Sequence, residues 1–416
     1  MKHTLFGQFP PLRFFSIVLL GLTVFLGHMG TSTFTYAEHQ SSSKLPADVS
    51  QSLAMLVDAV QTKQPVGVDE LSPLLHFVHN MAPTHADWEI ENLHGATGAY
   101  FGYEISSPVE KIIAYLYQPG LPSSLFHPSV VRVGAWEEEP QTNIPLIWKN
   151  LQDGEIHAVY GMEREENTPD TNTGGYYSYN TDRLLLLLRQ DGNSSLISIS
   201  RQTDQSSVGR KGVVLGDDAD WNYYYSNEEG LTKSGLGWVN SYIFDSFSVT
   251  VLSASQTDPA RSQHVMFKWV RAGWSGINMV RTEHVRNGCM RFAQSLTKLM
   301  ESQRLPDIQT IVAMADHVLS MDQADLEATL EPYVQALQKL SAEDPILSRP
   351  SFRNVVQENP LAHYSLEAKQ SLIMKEYMKA SIGMPALLTL SEKLFPVFVA
   401  WQEEMNNPPF YQSSLD

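Results

Sequence analysis

Between about residue 130 and residue 272 the apolar side chains recur at every second position. Ile156, Ala158, Tyr160 and Met162 alternate with Glu155, His157 and Val159, and Phe247, Val249 and Val251 alternate with Ser246, Ser248 and Thr250. A period of two places successive side chains on opposite faces of a strand. Leu184 to Leu188 is an unbroken apolar run, the pattern of a strand covered on both faces. Asp191-Gly192 joins that run to Ser195-Leu196-Ile197-Ser198-Ile199-Ser200, the strongest hairpin signal in the chain. Val265, Phe267 and Trp269 predict the last strand. Turn residues between the runs imply an antiparallel sheet of about six to eight strands, flanked by polar loops such as Glu163 to Gly175.

On either side of this stretch the period lengthens to that of a helix. Leu53, Leu56, Val57 and Val60 share a helical face, and Ser72-Pro73 is read as a cap opening a helix over Leu74 to Met81. Ser107-Pro108-Val109-Glu110 has the form of a capping box ahead of Ile112, Ile113, Leu116 and Tyr117, and Gln118-Pro119-Gly120 stops that helix. Gly95, Gly98 and Gly102 are expected to allow close packing. Downstream, Ile308, Ile311, Val312, Ala315, Val318 and Leu319 form one apolar face, and Leu326, Leu330, Val334 and Leu337 form another behind Asp322 as a cap. Ser365 opens a further helix, and Pro385 to Trp401 reads as a last one, kinked at Pro396. Helices segregated in sequence from strands imply an α+β fold. The expected order is a polar tether (38–50), an N-terminal helical region (51–129), an antiparallel β domain, curved or sandwich-like (130–276), and a C-terminal helical region (277–416).

Residues 1–37 read as a signal peptide. Lys2 and Arg13 precede the apolar run Phe14 to Gly27, and Thr35-Tyr36-Ala37 supplies a cleavage site. The run is short for a bilayer core, which needs about 20 residues, so cleavage is favoured over an uncleaved anchor. Glu392, Lys393 and Pro396 argue against a span in the apolar stretch Met384 to Trp401, leaving no stable transmembrane segment after cleavage. The 416-residue chain carries a formal net charge of −17. That excess argues against nucleic acid as a partner, since phosphate binding needs clustered Lys and Arg. Cys289 is the single cysteine, so no intramolecular disulfide can form. These features together point to a protein of the bacterial periplasm or the extracellular space.

Candidate chemistry concentrates in a few places. On a strand, Trp221, Tyr223 and Tyr225 would project from one face as an aromatic stripe, with Trp238 following a glycine-rich turn. Such a stripe either stacks on a ligand or fills the space beneath the helices. The expectation is that at least one of its members is accessible, giving a binding module for a glycan, lipid or envelope protein. The alternative is a metal-assisted hydrolase built on His76, His79 and His85, with Asp87 and His94 nearby as further zinc ligands. Asp218, Asp220, Asn222, Tyr224, Ser226 and Glu229 have calcium-loop spacing, but Tyr223 stands where that loop requires glycine. No resident cofactor is otherwise implied. Ser295 and Lys298 match S-x-x-K, with Lys233-Ser234-Gly235 as a loose partner in reversed order. Cys289 has His284 and arginines nearby in sequence, but a lone cysteine is more often a small buried hydrophobe. The carboxylates Glu137 to Glu139, Glu163, Glu165, Glu166, Asp217 and Asp218 fall in stretches read as solvated turns.

Overall fold

Leu184 to Leu188 are all buried, because the strand that carries them is covered on both faces. The computed structural model describes residues 43–80, 88–138, 142–170, 174–190, 192–233, 237–349 and 359–388. Its main sheet is built from β1 (Thr97–Ile105), β2 (Val131–Glu138), β3 (Ile156–Asn167), β4 (Ser178–Gln190), β5 (Asn193–Gln202), β6 (Tyr242–Ala254), β7 (Ser262–Trp274) and the two-residue β8 (Ile277–Asn278). Every pairing in it is antiparallel. The order is β8-β7-β6-β5-β4-β3-β2, with β1 alongside β8 on the outer edge of β7. The fold is therefore α+β around one large antiparallel sheet.

The expected hairpin joins β4 to β5, with Gln190 opposite Asn193 and Gly192 at a φ of 80°. That left-handed conformation is one only glycine adopts without strain. β1 lies within the stretch expected to be helical, so the sheet extends across the anticipated division at residue 130. Gly98 explains how it fits, since a Cβ there would lie 2.7 Å from Trp269 Nε1.

The two faces of the sheet differ in chemistry. On one, Leu184, Leu186, Ile197, Ile199, Phe247, Val249, Val251, Val265 and Phe267 pack with the N-terminal helices α1 (Ala47–Thr62) and α2 (Val68–Asn80). α2 begins four residues before the expected cap, so Pro73 lies inside it. On the other face run α3 (Val109–Leu116), α4 (Ile144–Asn150) and the long α5 (Thr282–Met300). α3 follows Pro108 without a side-chain cap from Ser107, so the expected capping box does not form.

α6 (Ile308–Ser320), α7 (Gln323–Glu343) and α8 (Leu366–Ser381) complete the C-terminal region. Asp322 and Ser365 cap α7 and α8 as expected. The segment expected as a last helix is not helical at its start, 385–388, and from residue 389 lies outside the described residues. A three-stranded sheet (Gly175–Tyr176, Arg210–Val214, Tyr223–Glu229) joins the same core as α6, α7 and α8. Among the described residues no helix is long and apolar enough to cross a membrane.

Candidate functional site

The aromatic stripe is core. Trp221, Tyr223 and Tyr225 are 2%, 1% and 5% exposed, which overturns the expectation of an accessible member. Trp221 precedes the strand and closes a short turn at a φ of 56°. Its carbonyl accepts from Lys375 Nζ at 2.8 Å. Tyr223 donates to Asp218 at 2.9 Å, and Tyr225 packs edge-on to Tyr176 and Tyr364 beneath the Arg132 guanidinium. Trp238 falls in the short strand Gly237–Val239, and its side chain lies outside the described residues.

The other constellations are drawn apart. His76 is exposed and engages Asn80, whereas His79 turns inward to Ser195 at 3.4 Å. Burial, then the neighbouring His76, hold His79 below the usual histidine range. His85 and Asp87 lie outside the described residues, and His94 pairs with Asp58. No group of three or more His, Cys, Asp or Glu among the described residues could hold a metal. The calcium-loop positions have other partners. Asp218 binds Arg291, Asn222 accepts from Lys379 at 2.7 Å, and Ser226 donates to the Lys211 carbonyl. On an extended strand, residues two apart share a face but are set about 6–7 Å apart in a line rather than wrapped around a point, so these oxygens do not converge. Ser295 is buried in α5 against Ser129, and Lys298 reaches the Ala219 carbonyl; Ser234 and Gly235 lie outside the described residues. Cys289 is buried, which pushes its thiol up to about 11, the reverse of an activated nucleophile.

What the structure does assemble is a cavity of about 410 Å³ between α5 and the second face of the sheet. The volume suits a small-molecule site, where roughly 300–1,000 Å³ is usual. Its floor follows directly from strand register. Leu187, Leu196, Leu252 and His264 form one row across β4, β5, β6 and β7. The next row along the strands is Leu185, Ser198, Thr250 and Met266, and the one after it Arg183, Ser200, Ser248 and Lys268. The face thus passes from apolar, beneath the helices, to hydroxyl-rich and charged under the cavity. Phe292, Leu116 and Val285 provide apolar wall opposite, with the His127 ring beside them.

β3 contributes the carboxylates. Glu163 is only 1% exposed, so the reading of this stretch as a solvated loop is corrected: the strand runs on to Asn167. Arg183 holds Glu163 through Nε at 2.9 Å and reaches Glu165 at 3.1 Å and Ser198 at 3.1 Å. Tyr179 donates to the other oxygen of Glu165 at 3.2 Å. Burial, and then Glu163 beside it, raise the Glu165 pKa against the pull of Arg183 and Lys268. Glu163 Oε1 accepts no hydrogen bond among the described residues, and His127 Nδ1 is likewise buried without a partner. His127 stacks on Phe292 at 3.9 Å and is kept neutral by burial, its pKa falling to about 3.

No family model matches this chain, and no curated protein does. Among solved structures it is similar to the crystal structure of protein CV1439 from Chromobacterium violaceum, at 11% identity and a TM-score of 0.25. That match covers 51% of this chain and 99% of the other. A likeness so slight carries no argument, and the cavity is read from its own chemistry.

That chemistry was partly visible in the sequence. The serines of β5 and β6 alternate with the core residues, and Glu163, Glu165, Arg183 and Lys268 keep the same parity on their own strands. What the alternation lacked was a reason to place this polar face indoors. The structure supplies it in α5, which crosses over the face and encloses it.

Proposed function

We propose that the chain is an exported, non-catalytic binding module that holds a small amphipathic ligand, such as one end of a glycan or lipid, in the cavity beneath α5. The observation that carries this reading is the contrast between the two faces of one sheet. A protein needing only a core would pack both faces with apolar residues, as the α1–α2 side does. Beneath α5 the sheet instead presents hydroxyls, a carboxylate oxygen without a partner among the described residues, and a cation. Buried polar groups left unpaired lower stability by about 1–3 kcal/mol each, and such groups cluster where a ligand completes them. Export rests on the charged, apolar and small-residue succession of residues 1–37.

Gly288 provides the test. It lies in α5 on the cavity wall, and a Cβ there would meet open space. Gly288→Leu should plug the cavity while improving helix propensity by roughly 1 kcal/mol. The chain recovered from the exported fraction should begin at or near Glu38. Native mass spectrometry should then show a bound small molecule that is absent from Gly288→Leu, with the variant melting at or above wild type. An unchanged bound mass in the plugged variant would place binding elsewhere.

A further inference from the structure

We propose that the cavity selects a ligand bearing an acidic group, and that Lys268 is the residue that receives it. The inference rests on the binding reading above and adds the charge and orientation of what is bound.

Two cations stand on the cavity floor, at the ends of the row Arg183, Ser200, Ser248, Lys268. Their situations differ. Arg183 is fully engaged by Glu163, Glu165 and Ser198. Glu165 has its two oxygens taken by Arg183 and Tyr179. Lys268, half-buried on β7, makes no hydrogen bond or ion pair with any described residue. Burial lowers its pKa, while Glu165 nearby helps to keep its charge. Across the strand it faces Ser248, whose hydroxyl is shared with Ser200 at 2.8 Å, and the next residues on its own face are Met266 and Val270.

An ammonium that lines a cavity with no hydrogen-bond acceptor among the described residues, and whose neighbouring carboxylate Glu165 is already taken by Arg183 and Tyr179, has its charge poorly met. A chain that needed only a filled core would carry an apolar residue here, as it does at Met266 and Val270. The lysine is accounted for if its counter-ion arrives with the ligand: a carboxylate, sulfonate or phosphate. The opposite end of the floor repeats the logic with the sign reversed. Glu163 Oε1 has no donor among the described residues, and the two glutamates outweigh Arg183, so an acid is repelled there while a hydroxyl or amine is welcome. The acidic end of the ligand therefore sits over β6 and β7, its donor groups over β3, and its apolar body against Phe292 and Val285 of α5.

Two fluorescent probes separate this inference from the reading beneath it. 8-Anilinonaphthalene-1-sulfonate and N-phenyl-1-naphthylamine share one ring system, and only the first carries an acid. Wild type should bind the sulfonate at least tenfold more tightly than the neutral probe, the scale expected of a charge-assisted hydrogen bond away from bulk water. The probes should compete with each other, and Gly288→Leu should exclude both. Lys268→Met should lower sulfonate affinity to that of the neutral probe and leave the neutral probe unchanged, whereas Lys268→Arg should retain the preference. Should Lys268→Met fail to fold, the wild-type preference itself should fall toward unity as the pH is raised through the lysine range. Equal binding of both probes to wild type, unaffected at Lys268 but lost in Gly288→Leu, would overturn the acid assignment and leave the cavity as a binding site. Binding of neither probe, or binding of both undiminished in Gly288→Leu, would overturn the two together.

Discussion

His264 shows how one position on a strand can couple stability to pH. Its neighbours Val265 and Phe267 face α1 and α2, and His264 takes the opposite face, 3.2 Å from the Tyr103 hydroxyl. Burial keeps it neutral and lowers its pKa from 6.5 to about 3. Above pH 6.5 the ring is neutral in both folded and unfolded chains, and it contributes no slope. As the pH falls below 6.5 the unfolded chain takes up a proton that the folded chain refuses, so stability is lost at up to about 1.4 kcal/mol per pH unit. Urea unfolding at pH 6.5 and pH 5 should therefore show about 1–2 kcal/mol more loss in wild type than in His264→Gln. Equal losses would mean that the ring protonates in place. At this scale the sequence displayed parity but not environment. Trp221, Tyr223 and Tyr225 share parity as expected, yet they are core because α8 supplies Lys375 and Lys379 to the turn that carries them. Glu163 has the parity of a floor residue, but its burial depends on Arg183, twenty residues away on the next strand.

At the level of elements, α5 is what makes a cavity out of a sheet face, and one ion pair secures it. Arg291 grips Asp218 through Nε at 2.6 Å and Nη2 at 2.8 Å, and also reaches the Thr168 hydroxyl and the Pro169 carbonyl. The helix is thereby tied both to the acidic turn and to the segment that follows β3. Removing one partner of a largely buried pair strands the other's charge, so Arg291→Met should cost about 2–4 kcal/mol. Asp218→Asn/Arg291→Met together should cost less than the sum of the single changes, because neither charge is then left alone. Additive losses in denaturant titration would refute the tie. Local patterns predicted this level well where one face meets one core: Leu53, Leu56, Val57 and Val60 are all buried along α1. They failed where a polar sequence adopts regular structure. β3 continues through Glu163 to Asn167 because β2 and β4 pair along both its edges, an arrangement no local signal contains.

Across the whole molecule, one sheet divides a dry core from a polar cavity, and that division carries both the fold and the proposed function. Periodicity made the two faces legible: Phe247, Val249 and Val251 on one, Ser246, Ser248 and Thr250 on the other. It did not show that both are enclosed, since serine on a solvent-facing strand gives the same pattern. The two enclosed faces should respond oppositely to exchange of polarity. Val249 is buried among the residues beneath α1 and α2, so Val249→Ser should lose about 2–4 kcal/mol through a buried hydroxyl and lost packing. Ser200 and Ser248 bond mainly to each other at 2.8 Å. Replacing both by valine removes donor and acceptor together and leaves neither stranded, which can be neutral or stabilising. The Ser200→Val/Ser248→Val variant should therefore unfold within about 1 kcal/mol of wild type while losing affinity for the cavity's ligand, as expected where polar groups serve binding rather than stability. A loss as large as that of Val249→Ser would mean that the hydroxyl floor holds the sheet together, and the case for a ligand in this cavity would lose its main support.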